Sequence, residues 1–193
     1  MKKGKYLVIG VIFCMLPFAC AGAADSPEID YSGGLAKIRL VVPADAKVRE
    51  SLGLKQASGL FSLSEVKADI VIVEIFSMYC PFCQRHAPMA NKLYQAIQGR
   101  KDLKDRVKLI GIGIGNSAYE VNIFRQKYAV GFPLFEDKAG TAINSLPGIR
   151  TPHYFGIKKG AGSSIDVFFS RQGPFDDERV FLDGMLKKSG IRF

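Results

Sequence analysis

Cys80 and Cys83, separated by two residues, are the side chains in this sequence best suited to chemistry. On the first turn of a helix, two cysteines at this spacing come within bonding distance of each other. The first would lie at the helix N-terminus, where unpaired backbone N–H groups and the macrodipole stabilise an anion. We therefore expect Cys80 to attack a disulfide as a thiolate and Cys83 to resolve the mixed disulfide. Pro81 fits the first turn, because its missing N–H would be unpaired there in any case.

A metal site is an alternative use of the same motif. His86 extends the pair to a C-x2-C-x2-H array, which could hold copper or zinc through three ligands. A c-type haem site is excluded, because Gln84 stands where that motif requires histidine. In the redox interpretation, which we favour, His86 lies at the surface or on a helix face and modestly favours the Cys80 thiolate. That interpretation needs no metal and no cofactor.

The first 24 residues have the organisation of a secretory signal peptide. Three lysines precede an apolar run over 6–19, and mostly small residues fill positions 19–24. Cleavage after Ala23 or Ala24 would satisfy the small-x-small rule. An uncleaved membrane anchor and lipidation of Cys20 are the alternatives.

Removal of residues 1–24 would change the charge and the thiol content of the chain. It takes away three Lys and no acid, and leaves 24 basic and 18 acidic side chains. The remaining basic residues are scattered, so nucleic acid is not an expected partner. Cys80 and Cys83 would be the only thiols left. One close pair does not make a disulfide-stabilised scaffold, and a disulfide that closes so short a loop stabilises the fold little. A binding domain with an inert disulfide is therefore the weaker alternative.

Apolar patterning predicts an α/β domain over 67–193, preceded by an extension over 25–66. Ile70–Phe76 is a β-branched and aromatic run typical of a central strand covered on both faces. A helix then begins near Cys80 and ends near Gly99. The order of the later segments indicates a mixed sheet with helices on both faces. The other predicted strands cover 38–42, 61–63, 107–114, 132–135, 152–157 and 165–170, and the other predicted helices cover 44–52, 118–128, 139–146 and 176–188.

From Phe61 to the C-terminus the sequence resembles the thioredoxin superfamily, and within it the exported TlpA-like disulfide reductases. One shared feature is the strand that ends in residues 74–79 ahead of the cysteine pair. Another is Arg150-Thr151-Pro152 just before the penultimate strand. A third is the strand–helix segment over 132–146, which resembles an insertion of TlpA-like proteins and peroxiredoxins. The resemblance implies a thioredoxin-like fold with an N-terminal extension and this insertion.

The resemblance also implies roles for individual residues. Glu74 matches a buried acid that helps to move the proton of the second cysteine, and its pKa should be raised on a covered strand. The plainer alternative places Glu74 at an open strand edge. Pro152 matches a cis-proline that would expose the Thr151 backbone to an extended substrate.

The dipeptide between the cysteines departs from the family pattern. Pro81 and Phe82, expected to contact substrate, differ from the Gly-Pro of thioredoxin and are nearer to the pairs of glutaredoxins and exported oxidases. The dipeptide tunes the reduction potential, so the direction of electron flow stays open.

The function implied by the resemblance is that of a periplasmic thiol–disulfide oxidoreductase, with reductase as the favoured direction. Its partners would be protein thiols and disulfides, with apocytochrome c as one client, and a membrane or periplasmic thiol protein that donates electrons. Membrane contact is expected only if the N-terminus stays uncleaved or is lipidated. A peroxidase is disfavoured, because the pair lacks the usual surroundings of a peroxidatic cysteine.

Overall fold

The structure is a computed structural model that describes residues 1, 30–137, 140–162 and 164–193. Residues 2–24 of the predicted signal segment and position 139, the predicted start of a helix, lie outside the described residues. No helix in the described ranges is long and apolar enough to cross a membrane. The elements in chain order are α1 (Ser32–Lys37), β1 (Arg39–Val41), α2 (Ala46–Leu52), β2 (Leu60–Ser62), β3 (Ile70–Phe76), α3 (Pro81–Gly99), β4 (Val107–Ile114), α4 (Ala118–Lys127), β5 (Leu134–Asp137), α5 (Thr141–Ser145), β6 (His153–Lys159), β7 (Ile165–Gln172) and α6 (Glu178–Ser189).

A mixed sheet of five strands organises the described part of the chain, in the order β5-β4-β3-β6-β7. β3, β4 and β5 are parallel, whereas β6 is antiparallel to both β3 and β7. All seven residues of β3 are buried, as its continuous apolar run predicts. Glu74 therefore lies in the middle of the sheet, and the alternative that placed it at an open strand edge is wrong.

The alternation of side chains along β3 divides the core into two clusters. Ile70, Ile72 and Phe76 point to one face, where they pack with apolar side chains of α3, α4 and α6. Val71, Val73 and Ile75 point to the other face, which is covered by the N-terminal segment and α5. The first face also buries Cys83, so β3 places the Glu74 side chain on the same side of the sheet as the cysteine pair.

The predicted elements are present with shifted ends. β5 begins at Leu134 instead of 132, directly after Pro133, which has no N–H to donate to a sheet. β1 and β2 pair as a separate two-stranded antiparallel sheet. α1 was not predicted. It is a six-residue helix with two glycines, no acid in its first turn and no side-chain cap at its N-cap residue, so the usual signals of a helix start are absent.

Candidate active site

Cys80 occupies the N-cap position of α3, immediately after the loop that leaves β3. Its backbone is extended, with φ −80° and ψ 114°, and its N–H donates to the carbonyl of Ser77 at 3.1 Å. Pro81 is the first helical residue, where it removes no hydrogen bond. The predicted arrangement of strand, turn and helix start is therefore present at the pair.

The Cys80 sulfur is partly exposed and lies beside Thr151. The thiol donates to the Thr151 carbonyl oxygen at 3.3 Å. Desolvation acts to raise the pKa of Cys80, but hydrogen bonds from the Thr151 side chain, from Cys83 and from the Phe82 backbone outweigh it and lower this pKa below its ordinary value. Cys80 is thus suited to attack as a thiolate.

Cys83 has the opposite environment on the first turn of α3. Its side chain is fully buried in the cluster between β3 and α6. Burial raises the pKa of the Cys83 thiol well above its usual range, although a hydrogen bond with the Ser77 backbone partly opposes this effect. Both thiols are free in the structure. Cys83 therefore needs a proton acceptor before it can react.

Glu74 is a buried carboxyl on the face of β3 that carries Cys83. Only 3% of its surface is exposed. Desolvation raises the pKa of Glu74 to about 7, against a hydrogen bond from Tyr154 that lowers it. The raised pKa expected from the sequence is present, and it suits a carboxyl that exchanges protons near neutral pH.

Tyr154 is the site residue that the sequence analysis missed. It is fully buried, and its hydroxyl donates to Glu74 Oε1 at 2.9 Å. Tyr154 stands directly opposite Glu74 in the register of β6 and β3. The sequence shows only that Tyr154 lies two residues after Pro152 on a predicted strand. Its proximity to Glu74 follows from the pairing of β6 with β3, which the sequence does not give.

The Thr151–Pro152 peptide bond is cis, as the resemblance implies. It lies immediately before β6, and the Thr151 carbonyl faces the Cys80 sulfur. The chain therefore brings this dipeptide, predicted to bind substrate, next to the cysteine pair across a sequence separation of 71 residues.

The loop that precedes Cys80 is held by side chains from two helices and a buried turn. The Met78 N–H donates to Asn116 Oδ1 at 2.8 Å, and Gln84 Nε2 donates to the Met78 carbonyl at 2.8 Å. The Tyr79 hydroxyl donates to Glu120 at the start of α4. Asn116 is buried, with 1% of its surface exposed. These bonds set the position of the Cys80 sulfur relative to α3.

Pro81 and Phe82 form the exposed surface between the cysteines. The Phe82 side chain is 57% exposed, and the Arg85 guanidinium lies over its ring at 4.8 Å. Tyr79, on the other side of Cys80 in the chain, is 65% exposed. An aromatic surface therefore borders the accessible sulfur.

His86 lies on the buried face of α3, so the predicted alternative of a surface position is wrong, whereas the predicted position on a helix face holds. It is 6% exposed and packs edge-on against Phe175 and Tyr154, and its Nε2 has no hydrogen-bond partner among the described residues. Desolvation lowers the pKa of His86 to about 4, so the ring is neutral near pH 7 and adds no positive charge beside Cys80. Helix periodicity places position 86 on the face of α3 that also buries Cys83, and this face packs on the sheet.

The C-x2-C-x2-H array does not assemble as a ligand set. Within the described ranges, no group of three or more His, Cys, Asp or Glu side chains is placed to hold a metal ion. In the predicted three-ligand site, His86 would join Cys80 and Cys83. Its ring instead packs among aromatic side chains.

Residues 44–161 match the model of the AhpC/TSA family. The chain belongs to this family. Among curated proteins, this AhpC/TSA family member is similar to the thiol–disulfide oxidoreductase ResA of Geobacillus thermodenitrificans. The two are 23% identical over 163 residues, which cover 82% of this chain and 85% of ResA.

Solved structures share the fold of this AhpC/TSA family member. StoA from Bacillus subtilis is 19% identical, with a TM-score of 0.50 over 64% of this chain and 87% of StoA. A secreted Mycobacterium tuberculosis disulfide oxidoreductase homologous to E. coli DsbE is 16% identical, with a TM-score of 0.52 over 79% of this chain and 96% of that protein. The predicted thioredoxin-like fold and the predicted homology to thiol–disulfide oxidoreductases are confirmed.

Proposed function

We propose that this protein is an extracytoplasmic thiol–disulfide oxidoreductase that reduces disulfides in other proteins. The observation that carries the proposal is the contrast within one helical turn. Cys80 is partly exposed with a lowered pKa, whereas Cys83 is buried with a raised one. An accessible thiolate beside a protected thiol is what stepwise disulfide exchange requires.

In the first step, the Cys80 thiolate attacks one sulfur of a client disulfide. A new S–S bond joins Cys80 to the client, and the other client sulfur leaves as a thiolate that takes a proton from water. In the second step, Cys83 gives its proton to the Glu74 carboxylate and attacks the Cys80 sulfur. The Cys80–Cys83 disulfide forms, the second client thiolate leaves, and the client has gained two electrons.

The client is proposed to dock beside the Thr151 backbone and Pro152. The Thr151 carbonyl lies 3.3 Å from the Cys80 sulfur, so an extended segment paired there would bring its disulfide to the nucleophile. Pro81 and Phe82 would contact the same segment, because both are exposed at the start of α3. ResA and its relatives suggest protein thiols as the general class of substrate.

A trapping experiment tests the roles of the two cysteines. Cys83→Ser removes the resolving thiol, so Cys80 should accumulate in mixed disulfides with client proteins, seen as dithiothreitol-sensitive bands on non-reducing gels. Cys80→Ser is the matched control and should trap nothing. The proposal fails if a folded Cys83→Ser protein, with its Cys80 thiol reactive toward a small disulfide, forms no adduct with an extracytoplasmic protein that carries a disulfide.

The direction of electron flow has its own test. Reduction by this protein requires a potential nearer to that of thioredoxin, about −270 mV, than to that of the oxidant DsbA, about −120 mV. The potential of the Cys80–Cys83 couple is measured against glutathione, and the thiol state in cells is read by alkylation. A strongly oxidising potential with a fully oxidised pair in cells would reverse the proposed direction.

The extracytoplasmic location rests on residues 1–24, proposed as a signal peptide for export to the periplasm. Expression of the full chain in a bacterium, followed by fractionation and intact-mass measurement, tests this. A mass that begins after Ala23 or Ala24 in the periplasmic fraction is expected. An unprocessed chain in the membrane fraction would indicate an anchor facing the periplasm, and an unprocessed cytoplasmic chain would contradict export.

A further inference from the structure

The Tyr154 hydroxyl on β6 donates a hydrogen bond to the Glu74 carboxyl on the neighbouring strand β3. The hydroxyl lies 2.9 Å from Oε1, and in the described part of the chain no other hydrogen bond reaches this carboxyl. Both residues are buried, with Tyr154 fully inaccessible. Neither group can therefore exchange this partner for bulk water.

The Tyr154 ring packs against three aromatic neighbours. The rings of His86, Phe175 and Phe181 lie edge-on to it, with centroid distances of 5.9, 5.2 and 5.3 Å. The ring therefore has little freedom to rotate, and the hydroxyl stays directed at Glu74. A fixed donor favours the ionised carboxylate over the protonated acid, because an anion accepts the stronger hydrogen bond.

We infer that Tyr154 is a positioning residue that orients Glu74 and sets the pH at which it can accept the proton of Cys83. The inference rests on the proposed function, in which Glu74 is that acceptor. Tyr154 keeps its own proton throughout, since burial and the nearby carboxylate raise the pKa of its phenol well above the ordinary value. The proton passes from Cys83 Sγ to Glu74 as the Cys83–Cys80 bond forms and the bond from Cys80 to the client breaks.

Other groups around the pair do not replace this role. His86 is neutral above pH 5, because desolvation holds its pKa at about 4. β4 places Gly111, which has no side chain, opposite Glu74. Among the described residues, the ionisable groups near Tyr154, besides Glu74, are Cys83 and His86 on α3. Those that act on His86 are Arg171 on β7 and Asp176 before α6.

The experiment compares Tyr154→Phe with Tyr94→Phe, which removes a hydroxyl from α3 away from Glu74. Each reduced protein reacts with 5,5′-dithiobis(2-nitrobenzoate), whose first released thiolate reports attack by Cys80 and whose second reports resolution by Cys83. The resolution rate is followed from pH 5 to 10. Carboxyl ¹³C NMR, assigned with Glu74→Gln, gives the titration of Glu74 directly.

Tyr154→Phe should move the Glu74 midpoint and the midpoint of the resolution rate upward by about one pH unit, the value of one hydrogen bond to a charged group. At a pH below the midpoint, the rate of resolution by Cys83 would be about tenfold lower than in the wild type. The rate of attack by Cys80 would not change. Tyr94→Phe should leave both midpoints in place. If Tyr154→Phe disturbs the fold, 3-fluorotyrosine at position 154, a stronger donor, should move both midpoints downward.

Two results would overturn the inference in distinguishable ways. An unmoved Glu74 midpoint in folded Tyr154→Phe removes the role of Tyr154 and leaves the disulfide exchange of the proposed function intact. A resolution rate that Glu74→Gln does not alter removes Glu74 as the proton acceptor, and the role of Tyr154 is lost with it.

Discussion

The cysteines of the pair are three positions apart and yet differ in almost every physical property. Cys80 lies at the N-cap position of α3, contacts the Thr151 carbonyl and has a lowered pKa, whereas Cys83 is fully buried and has a raised pKa. The difference comes from the helix itself, because one turn carries the chain from the exposed end of α3 to the face that packs on the sheet. The proposed order, attack by Cys80 and then resolution by Cys83, would follow from this local geometry.

Glu74 should make the stability of the reduced protein depend on pH. Its pKa is about 7 in the folded state, against an ordinary value near 4.5, so the folded protein holds this proton more tightly than the unfolded chain. The contribution of Glu74 to the free energy of unfolding is at its maximum below pH 4.5. It falls by about 3 kcal/mol as the pH rises through 7. Glu74→Gln, which cannot ionise, should match the wild type at pH 4 and exceed it at pH 8.

Urea unfolding of the reduced protein across this range measures the effect. Glu50→Gln, which changes an exposed carboxyl of α2, is the matched control and should keep the wild-type profile. A Glu74→Gln protein that loses stability with rising pH as the wild type does would contradict the assignment.

His86 should act in the opposite direction at acidic pH. Its pKa is about 4 in the folded state, below the ordinary 6.5, because burial disfavours the charged ring. The contribution of His86 to the free energy of unfolding is therefore at its maximum above pH 6.5. It falls by up to about 3 kcal/mol as the pH falls through 4. His86→Phe fits the aromatic surroundings and leaves no polar nitrogen unpaired. In thermal unfolding, the Tm of the variant relative to that of the wild type should rise as the pH falls from 6.5 to 4. A parallel fall of both Tm values would contradict this.

At the scale of elements, the start of α3 depends on the loop between β4 and α4. Asn116 accepts the Met78 N–H, while Glu120 accepts the Tyr79 hydroxyl and forms a capping box with Ser117. The acidic side chain that caps α4 thus also holds the loop before Cys80. Two parallel strands end at the same edge of the sheet, and this is why their following loops meet there.

Asn116→Ala should loosen this connection. The Met78 N–H would lose a buried partner, which costs about 1–3 kcal/mol of unfolding free energy. Asn122→Ala, on the exposed face of α4, should change stability by less than about 0.5 kcal/mol. Urea unfolding of the two variants makes the comparison, and equal values for both would mean that the Asn116 bond contributes nothing.

For the whole molecule, the N-terminal segment supplies much of the core on one face of the sheet. Leu35, Leu40 and Phe61 are buried against the apolar residues of β3, and the Phe61 ring meets Phe135 edge-on at 5.3 Å. The cysteine pair lies on the opposite face. The described part of this segment, which begins at residue 30, therefore covers the sheet without contributing a side chain to the candidate active site.

Neighbouring residues of β2 offer a matched test of this packing. Phe61 is fully buried, whereas Leu60 is 60% exposed. Phe61→Ala should lower the free energy of unfolding by about 3–5 kcal/mol, because it leaves a cavity under the sheet. Leu60→Ala should cost much less. Denaturant unfolding of both variants measures the two losses. A small loss for Phe61→Ala would show that the two-stranded sheet of β1 and β2 is not part of the cooperative core.

Much of the fold was predictable because its signals are local. The apolar run of Ile70–Phe76 predicted a central strand. The helix predicted over 118–128 begins at Ala118, where Ser117 and Glu120 form a capping box. Gly111 in β4 allows close packing, because a Cβ there would lie 2.5 Å from the Leu134 side chain. α1 was not predictable, since its six residues are held by packing of Leu35 and not by propensity or caps.

The sequence by itself determined the cysteine spacing, the strand before it and the acid six residues ahead, because each of these is a relation between near neighbours in the chain. Tertiary structure alone decided which distant groups surround them. It placed Tyr154 on Glu74, Thr151 beside Cys80 and His86 inside an aromatic cluster. Strand order and helix packing bring together residues as distant in the chain as Glu74 and Tyr154, which are 80 positions apart, and no local pattern encodes the register that does so.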